Sequence, residues 1–260
     1  MPNKQGDWIW YELMTPDADA SARFYGQVLD WQIGNQPDYR EIETAHGHVG
    51  GMLPLSPEMI SGGAIPGWVG YVAVDDVDAA AAAIEADGGR VLMAPRDLPE
   101  AGRFAMVADP GGAPFYVMRP RPPADDPDAV SNAFAYDVPM IGHCAWNELA
   151  SGDPSAALAF YARRLGWVKD GEMDMGPLGT YHFLRHGPLI GAIMPLLPMA
   201  PQPGWRFYFR VADIDAAGAK IVAAGGQIVH GPSEVPGGDY IINGIDPLGV
   251  SFAVVGKKGA

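Results

Sequence analysis

Cysteine is almost absent from this chain: Cys144 is the only one in 260 residues. That excludes an intrachain disulfide and a zinc site built on cysteines. Basic residues are also few, with 17 Lys and Arg against 31 Asp and Glu, a formal net charge of −14. Nucleic acid or an anionic membrane would be repelled, which argues against both as partners. No long apolar run exists. The most apolar stretch, 188–201, is interrupted by Pro195 and Pro198 and cannot be a membrane helix. The first seven residues, Met1 to Asp7, lack the apolar core of a signal peptide. Low-complexity tracts, a Walker loop, a dinucleotide glycine fingerprint and a nucleophile elbow are all missing. The expectation is a globular cytoplasmic protein, monomer or homodimer, whose partner is a small molecule.

What is present is present twice. Trp10-Tyr11-Glu12-Leu13, Phe24-Tyr25 and Asp30-Trp31 are answered 136 positions later by Trp146-Asn147-Glu148-Leu149, Phe160-Tyr161 and Gly166-Trp167. Gly67-Trp68, Gly88-Gly89 and Asp109-Pro110-Gly111-Gly112 are answered 137 positions later by Gly204-Trp205, Gly225-Gly226 and Asp246-Pro247-Leu248-Gly249. An offset held to one residue over most of each copy marks a duplicated domain. Each copy is long enough to bury its own core. The expected division is a first domain at 1–120, a linker at 121–139 and a second domain at 140–260. The segment Arg119 to Pro139 is rich in Pro and Asp and reads as stiff, solvated and laid over the surface.

Each copy divides again. Residues 8–14 read as a strand, and Thr15-Pro16-Asp17 as a helix start with Thr as cap and Pro in the first turn. Two strands follow, about 39–45 and 48–55. Then come a strand at 68–74, a helix at 76–86 ended by Gly88-Gly89, and strands near 90–93, 103–108 and 114–118. The second copy follows suit, with helices near 154–164 and 214–224. The unit is β-α-β-β-β, four times in the chain, an α+β fold.

These residues resemble the vicinal oxygen chelate superfamily of glyoxalases, bleomycin-resistance proteins and extradiol dioxygenases. The carriers are the helix-opening Asp17 and Asp153, the Phe-Tyr pairs, Val74-Asp75-Asp76 and Val211-Ala212-Asp213, and the Asp-Pro-x-Gly turns. The resemblance implies two glyoxalase-like domains in which paired βαβββ modules roll mixed sheets into cups around a cavity. In metal-using members the cavity holds a divalent ion on His, Glu or Gln side chains. The corresponding positions here are Trp10 and Trp146, Val69 and Arg206, Tyr116 and Ala253, and the strands near Gly51-Met52-Leu53 and Ile193-Met194. None is a standard ligand, so no metal or other cofactor is expected.

Strand alternation then places Trp10, Glu12, Tyr71 and Tyr116 toward the first cavity. It places Cys144, Trp146, Glu148, Arg206, Tyr208 and Arg210 toward the second. Glu12 and Glu148 stand at one repeat position in strands that are otherwise mainly apolar. Each is either a structural carboxylate or a cavity acid serving as general base. Trp10 and Trp146 are core aromatics or stacking platforms for a flat ligand. Arg206 holds a ligand carboxylate or phosphate, or pairs with Glu148. Tyr71, Tyr116 and Tyr208 supply phenol groups or pack. Cys144 reads as a half-buried structural cysteine. His182 and His186 share a face without an acid nearby, and His46 and His48 are expected in solvent.

Three functions fit this reading. One is a protein that binds a partly aromatic or apolar molecule without a metal, as bleomycin-resistance proteins do. Another is a lyase-like or isomerase-like enzyme using Glu12 or Glu148 as base. The third is a glyoxalase or dioxygenase with unorthodox metal ligands.

Overall fold

The computed structural model describes residues 3–123, 126–197 and 202–259. The ends Met1-Pro2 and Ala260, Ala124-Asp125 of the linker, and 198–201 at the end of the apolar stretch lie outside them. The chain folds as four βαβββ modules. The first is β1 (Trp8–Thr15), α1 (Ala18–Leu29), β2 (Gln32–Ile33), β3 (Arg40–Thr44) and β4 (Gly47–Pro54), followed by a short helix α2 (Pro57–Ser61). The second is β5 (Gly67–Ala73), α3 (Val77–Ala86), β6 (Arg90–Leu98), β7 (Gly102–Ala108) and β8 (Pro114–Pro120). The third is β9 (Cys144–Ser151), α4 (Pro154–Leu165), β10 (Val168–Asp174), β11 (Thr180–Arg185) and β12 (Leu189–Pro195). The fourth is β13 (Gly204–Val211), α5 (Ile214–Ala223), β14 (Gln227–Val235), β15 (Asp239–Ile245) and β16 (Ser251–Gly256).

The strands form two eight-stranded mixed sheets of identical order, β2-β3-β4-β1-β5-β8-β7-β6 and β10-β11-β12-β9-β13-β16-β15-β14. Each sheet is built from one half of the sequence. Packing groups the chain otherwise. One compact unit holds Met1–Ile9, Gly70–Ser131 and Asn147–Trp205; the other holds Trp10–Val69, Asn132–Trp146 and Arg206–Ala260. Each unit therefore draws on both halves. Among the described residues no helix is long and apolar enough to cross a membrane.

Helix starts follow one rule. Asp17, Asp76, Asp153 and Asp213 each cap a helix, their carboxylates accepting from the backbone N–H of Ala20, Ala79, Ala156 and Ala216. Thr15 is thus not the cap expected for α1. It is the last residue of β1, and its hydroxyl bonds the Asp17 N–H and the Ser21 hydroxyl. Two glycines set strand spacing. A Cβ on Gly50 or Gly191 would collide with the carbonyl oxygen of Tyr11 or Asn147, its partner across the parallel pairs β1–β4 and β9–β12.

A tyrosine organises the core of each unit. Tyr25 on α1 contacts Phe24, Trp31, Trp68 and Phe252 at ring separations of 5.0–6.1 Å. Its buried hydroxyl donates to Asp246 (3.1 Å) and accepts from the Trp68 indole (3.1 Å). In the other unit Tyr161 on α4 stacks on Trp167 at 5.0 Å and meets Phe160, Trp205 and Phe115. Its hydroxyl donates to Asp109 (3.1 Å) and accepts from Trp205 (3.2 Å). Such rings bury large area with specific edge-to-face geometry.

The linker departs from a purely solvated strap. Residues 121–123 and 126–128 are exposed, but Ala133 and Ala135 are buried. The Ser131 hydroxyl donates to the Ile9 carbonyl (2.6 Å), and Asn132 donates to the His46 carbonyl (2.8 Å). Small residues after the prolines allow this close docking.

Candidate functional site

Helices cover one face of every module, packing on its strands. Residues one step along each strand point to the opposite, helix-free face. In the third module this face carries Glu148 on β9, Tyr181 and Phe183 on β11, and Ala192 and Met194 on β12. Glu148 is only 8 % exposed, and its carboxylate accepts from the Tyr181 hydroxyl at 2.9 Å. Tyr181 meets Phe183 edge-on at 5.5 Å. An anionic acceptor is thus held by a phenol within an aromatic and thioether surface, a setting that favours a charge-assisted hydrogen bond.

The first module repeats the plan. Glu12 is 3 % exposed and lies opposite Gly51. Tyr39 lies over Gly51, where any side chain would collide with its ring. The Tyr39 hydroxyl accepts from the half-buried Trp10 indole at 2.8 Å. Tyr39 and Tyr181 are equivalent: each precedes by three the residue paired with Gly50 or Gly191. Sequence reading passed over both, because Tyr181 follows Tyr39 by 142 positions while Glu148 follows Glu12 by 136. Counting from the paired glycines, rather than at constant offset, finds them.

In the second module Tyr71 and Tyr116 come together, stacked at 4.2 Å and 17°. Phe104 adjoins them, with the Arg96 guanidinium 5.1 Å above its ring. Met106 and Met118 share this face. Both tyrosines are buried, and each lends a ring face to the other. In the fourth module Tyr208 clusters with Ala145, Ala253 and Val255, and Trp146 packs against them. Trp146 also meets Tyr136 of the linker at 5.6 Å. Arg206 is half-buried. Arg210 pairs with Asp239 at 3.1 Å, and Lys257 joins the same carboxylate at 2.8 Å. Burial opposes ionisation of Asp239, but the two cations outweigh it and hold its carboxyl below the usual range.

Other expectations are corrected. Cys144 is fully buried rather than half-buried, since strand β9 begins under Ala133 and Phe134 of the linker. Burial pushes its thiol up to about 12, which leaves no thiolate nucleophile at neutral pH. His182 and His186 do have acids nearby, reached across chain segments that spacing does not reveal. Glu172 lies 3.5 Å from His182 across the β10–β11 hairpin, and Asp7 lies 3.4 Å from His186. His46 and His48 are exposed. His143 is buried: its Nδ1 donates to the Asn132 carbonyl (2.6 Å), and Nε2 meets the Thr44 hydroxyl (2.8 Å).

Paired βαβββ modules with these turns define a class of fold, and the comparisons give it a family. The profile of the Glyoxalase/Bleomycin resistance protein/Dioxygenase superfamily matches residues 9–117 and 140–254, and the chain belongs to that superfamily. It is 31 % identical over 259 residues to the putative glyoxylase CFP32 of Mycobacterium bovis and Mycobacterium tuberculosis, covering 97 % of this chain and 95 % of that protein. It is 30 % identical over 266 residues to the anthracycline biosynthesis protein DnrV of Streptomyces peucetius, covering 95 % and 91 %. Among solved structures it resembles the Mn(II)-bound glyoxalase of Novosphingobium aromaticivorans (TM-score 0.62, 18 % identity, 98 % of this chain and 83 % of that one). It also resembles the homoprotocatechuate 2,3-dioxygenase of B. fuscum (TM-score 0.65, 16 % identity, 99 % and 72 %).

A divalent ion does not fit the side chains at the strand positions named above. Val69 and Ala253 are buried apolar groups, and Tyr116 is stacked on Tyr71. Among the described residues no group of three or more His, Cys, Asp or Glu is placed to hold an ion.

Proposed function

We propose that this protein binds a small molecule with a planar aromatic part on the helix-free faces of its sheets, without a divalent metal. Residues 1–120 and 140–260 act as two binding domains joined by 121–139. The observation that carries the reading is the Glu148–Tyr181 pair: a buried carboxylate hydrogen-bonded at 2.9 Å to a phenol within a face of Phe183, Ala192 and Met194. Apolar walls with a few converging polar groups are the usual make-up of a ligand site. Half-buried Trp10 and Trp146 offer indole surface for stacking. The relative named for anthracycline biosynthesis supports a fused aromatic ligand, and the net charge of −14 suits a cationic substituent.

Titration with a hydroxyanthraquinone, followed by tryptophan quenching, tests the reading. Micromolar binding that weakens about tenfold in Glu148→Gln or Tyr181→Phe supports it, that ratio being worth about 1.4 kcal/mol. No saturable quenching up to millimolar probe would defeat it.

The same pair favours a second reading. A carboxylate held by a phenol can take a proton from carbon while the phenol stabilises the developing oxyanion, which is the chemistry of an isomerase or lyase. Glu12 and Tyr39 stand at the equivalent positions in the first domain. If Glu148 or Glu12 is a base, its Gln variant keeps ligand affinity and loses turnover, because an amide cannot accept the proton. Unchanged turnover of an identified substrate in both Gln variants would remove this reading.

A further inference from the structure

Residues directly opposed across neighbouring strands form rows, and two equivalent rows differ sharply. In the second module one row runs Tyr71, Tyr116, Met106, Met93. In the fourth it runs Tyr208, Ala253, Asn243, His230. Each member of the second row lies 137 positions after its counterpart. The first row is filled by a ring stack at 4.2 Å and by thioethers. In the second, a methyl group replaces the second ring, an amide replaces one thioether and an exposed imidazole the other. The side-chain oxygen of Asn243 is buried without a hydrogen-bond partner. A buried acceptor left so is costly unless something supplies a donor.

The neighbouring charges narrow the choice of donor. Arg210 and Lys257 share the one carboxylate of Asp239, which disfavours a further cation, and the Arg210 Nε is itself buried without a hydrogen-bond partner. An anion would meet the Asn243 oxygen unfavourably, and an apolar group would leave it unsatisfied. A hydroxyl both donates and accepts, which suits an amide, a phenol and an imidazole set in one row. We propose that Tyr208, Asn243 and His230, which flank Ala253 in this row, form a subsite for a neutral polyol group, such as the sugar of a glycosylated aromatic ligand. This assignment rests on the planar-ligand reading above, and it gives the second domain a specificity the first lacks.

The test uses the full chain, with a hydroxyanthraquinone and its O-glucoside as probes. The wild type is expected to bind the glucoside about tenfold more tightly than the aglycone, the ratio one net hydrogen bond provides. Asn243→Met, the residue of the first copy, should abolish that preference while aglycone affinity stays unchanged and the melting temperature does not fall, since the substitution removes an unsatisfied buried acceptor. Methyl glucoside alone should give a saturation-transfer NMR signal in the wild type that Asn243→Met loses. Equal affinity for the two anthraquinones, or a preference that survives in Asn243→Met, overturns the subsite. If neither anthraquinone binds, the planar-ligand reading fails, and the methyl glucoside measurement then decides the subsite: no signal refutes it.

Discussion

The Tyr161 hydroxyl donates to the Asp109 carboxylate across 3.1 Å, joining the helix-borne Phe-Tyr pair of the second sequence half to the Asp-Pro-x-Gly turn of the first. Tyr25 and Asp246 make the reciprocal bond at the same distance. Both hydroxyls are fully buried, and burial first, then the facing carboxylate, raises each phenol well above its usual range. Burial likewise raises the Asp109 carboxyl. Tyr161→Phe leaves the Asp109 oxygen and the Trp205 indole without this partner. It should destabilise the fold by about 1–3 kcal/mol, the cost of an unsatisfied buried polar group. Urea denaturation of Tyr161→Phe and Tyr25→Phe measures it, and a loss below about 0.5 kcal/mol in both would contradict the assigned role.

His143 should make stability depend on pH. Burial, with a smaller contribution from His46, lowers its pKa below the ordinary 6.5, against the bond to the Asn132 carbonyl. The unfolded chain therefore binds the proton more readily. The contribution is fully present above pH 6.5 and is lost as pH falls toward the lower folded value. Unfolding free energies at pH 7.5 and pH 5.5 should differ more for the wild type than for His143→Gln. Parallel pH profiles would rule this out.

Cys144 should be inert in the folded protein. With its thiol near 12 and no exposed surface, iodoacetamide at pH 8 should leave it unmodified for hours and label it fully in guanidinium. Rapid labelling of the native protein, read by mass spectrometry, would show that strand β9 opens at its start.

Metal content is the fourth expectation. The protein as purified should carry no stoichiometric Mn, Fe, Ni or Zn, and EDTA should leave its melting temperature unchanged. Elemental analysis finding one tightly held ion per domain would contradict the metal-free reading and revive the atypical-ligand alternative.

Much of the fold was legible because the chain repeats itself. The Phe-Tyr pairs, the paired tryptophans and the Asp-Pro-x-Gly turns that betrayed the duplication are the residues of the two buried hydrogen-bonded clusters, so a sequence echo and a core contact are one fact. What escaped lies where chain lengths between elements differ or where partners meet across strands. Tyr39 and Tyr181 hid behind a changed loop length. Glu172 reaches His182 only once a hairpin is formed. The regrouping of both halves into each compact unit has no local signal at all, because it depends on which helix packs on which sheet. Thr15 was mistaken for a cap because threonine is a good one; the strand simply continues through it.

Rows that differ while the tyrosine–aspartate bonds stay the same have a practical meaning. A duplicated scaffold keeps its fastenings identical and leaves the opposite sheet face free to change. Transplanting Ala, Asn and His from positions 253, 243 and 230 onto 116, 106 and 93 alters neither Tyr161 nor Asp109. On the proposed reading, ligand preference can be engineered one half at a time, because these substitutions leave both buried tyrosine–aspartate bonds in place.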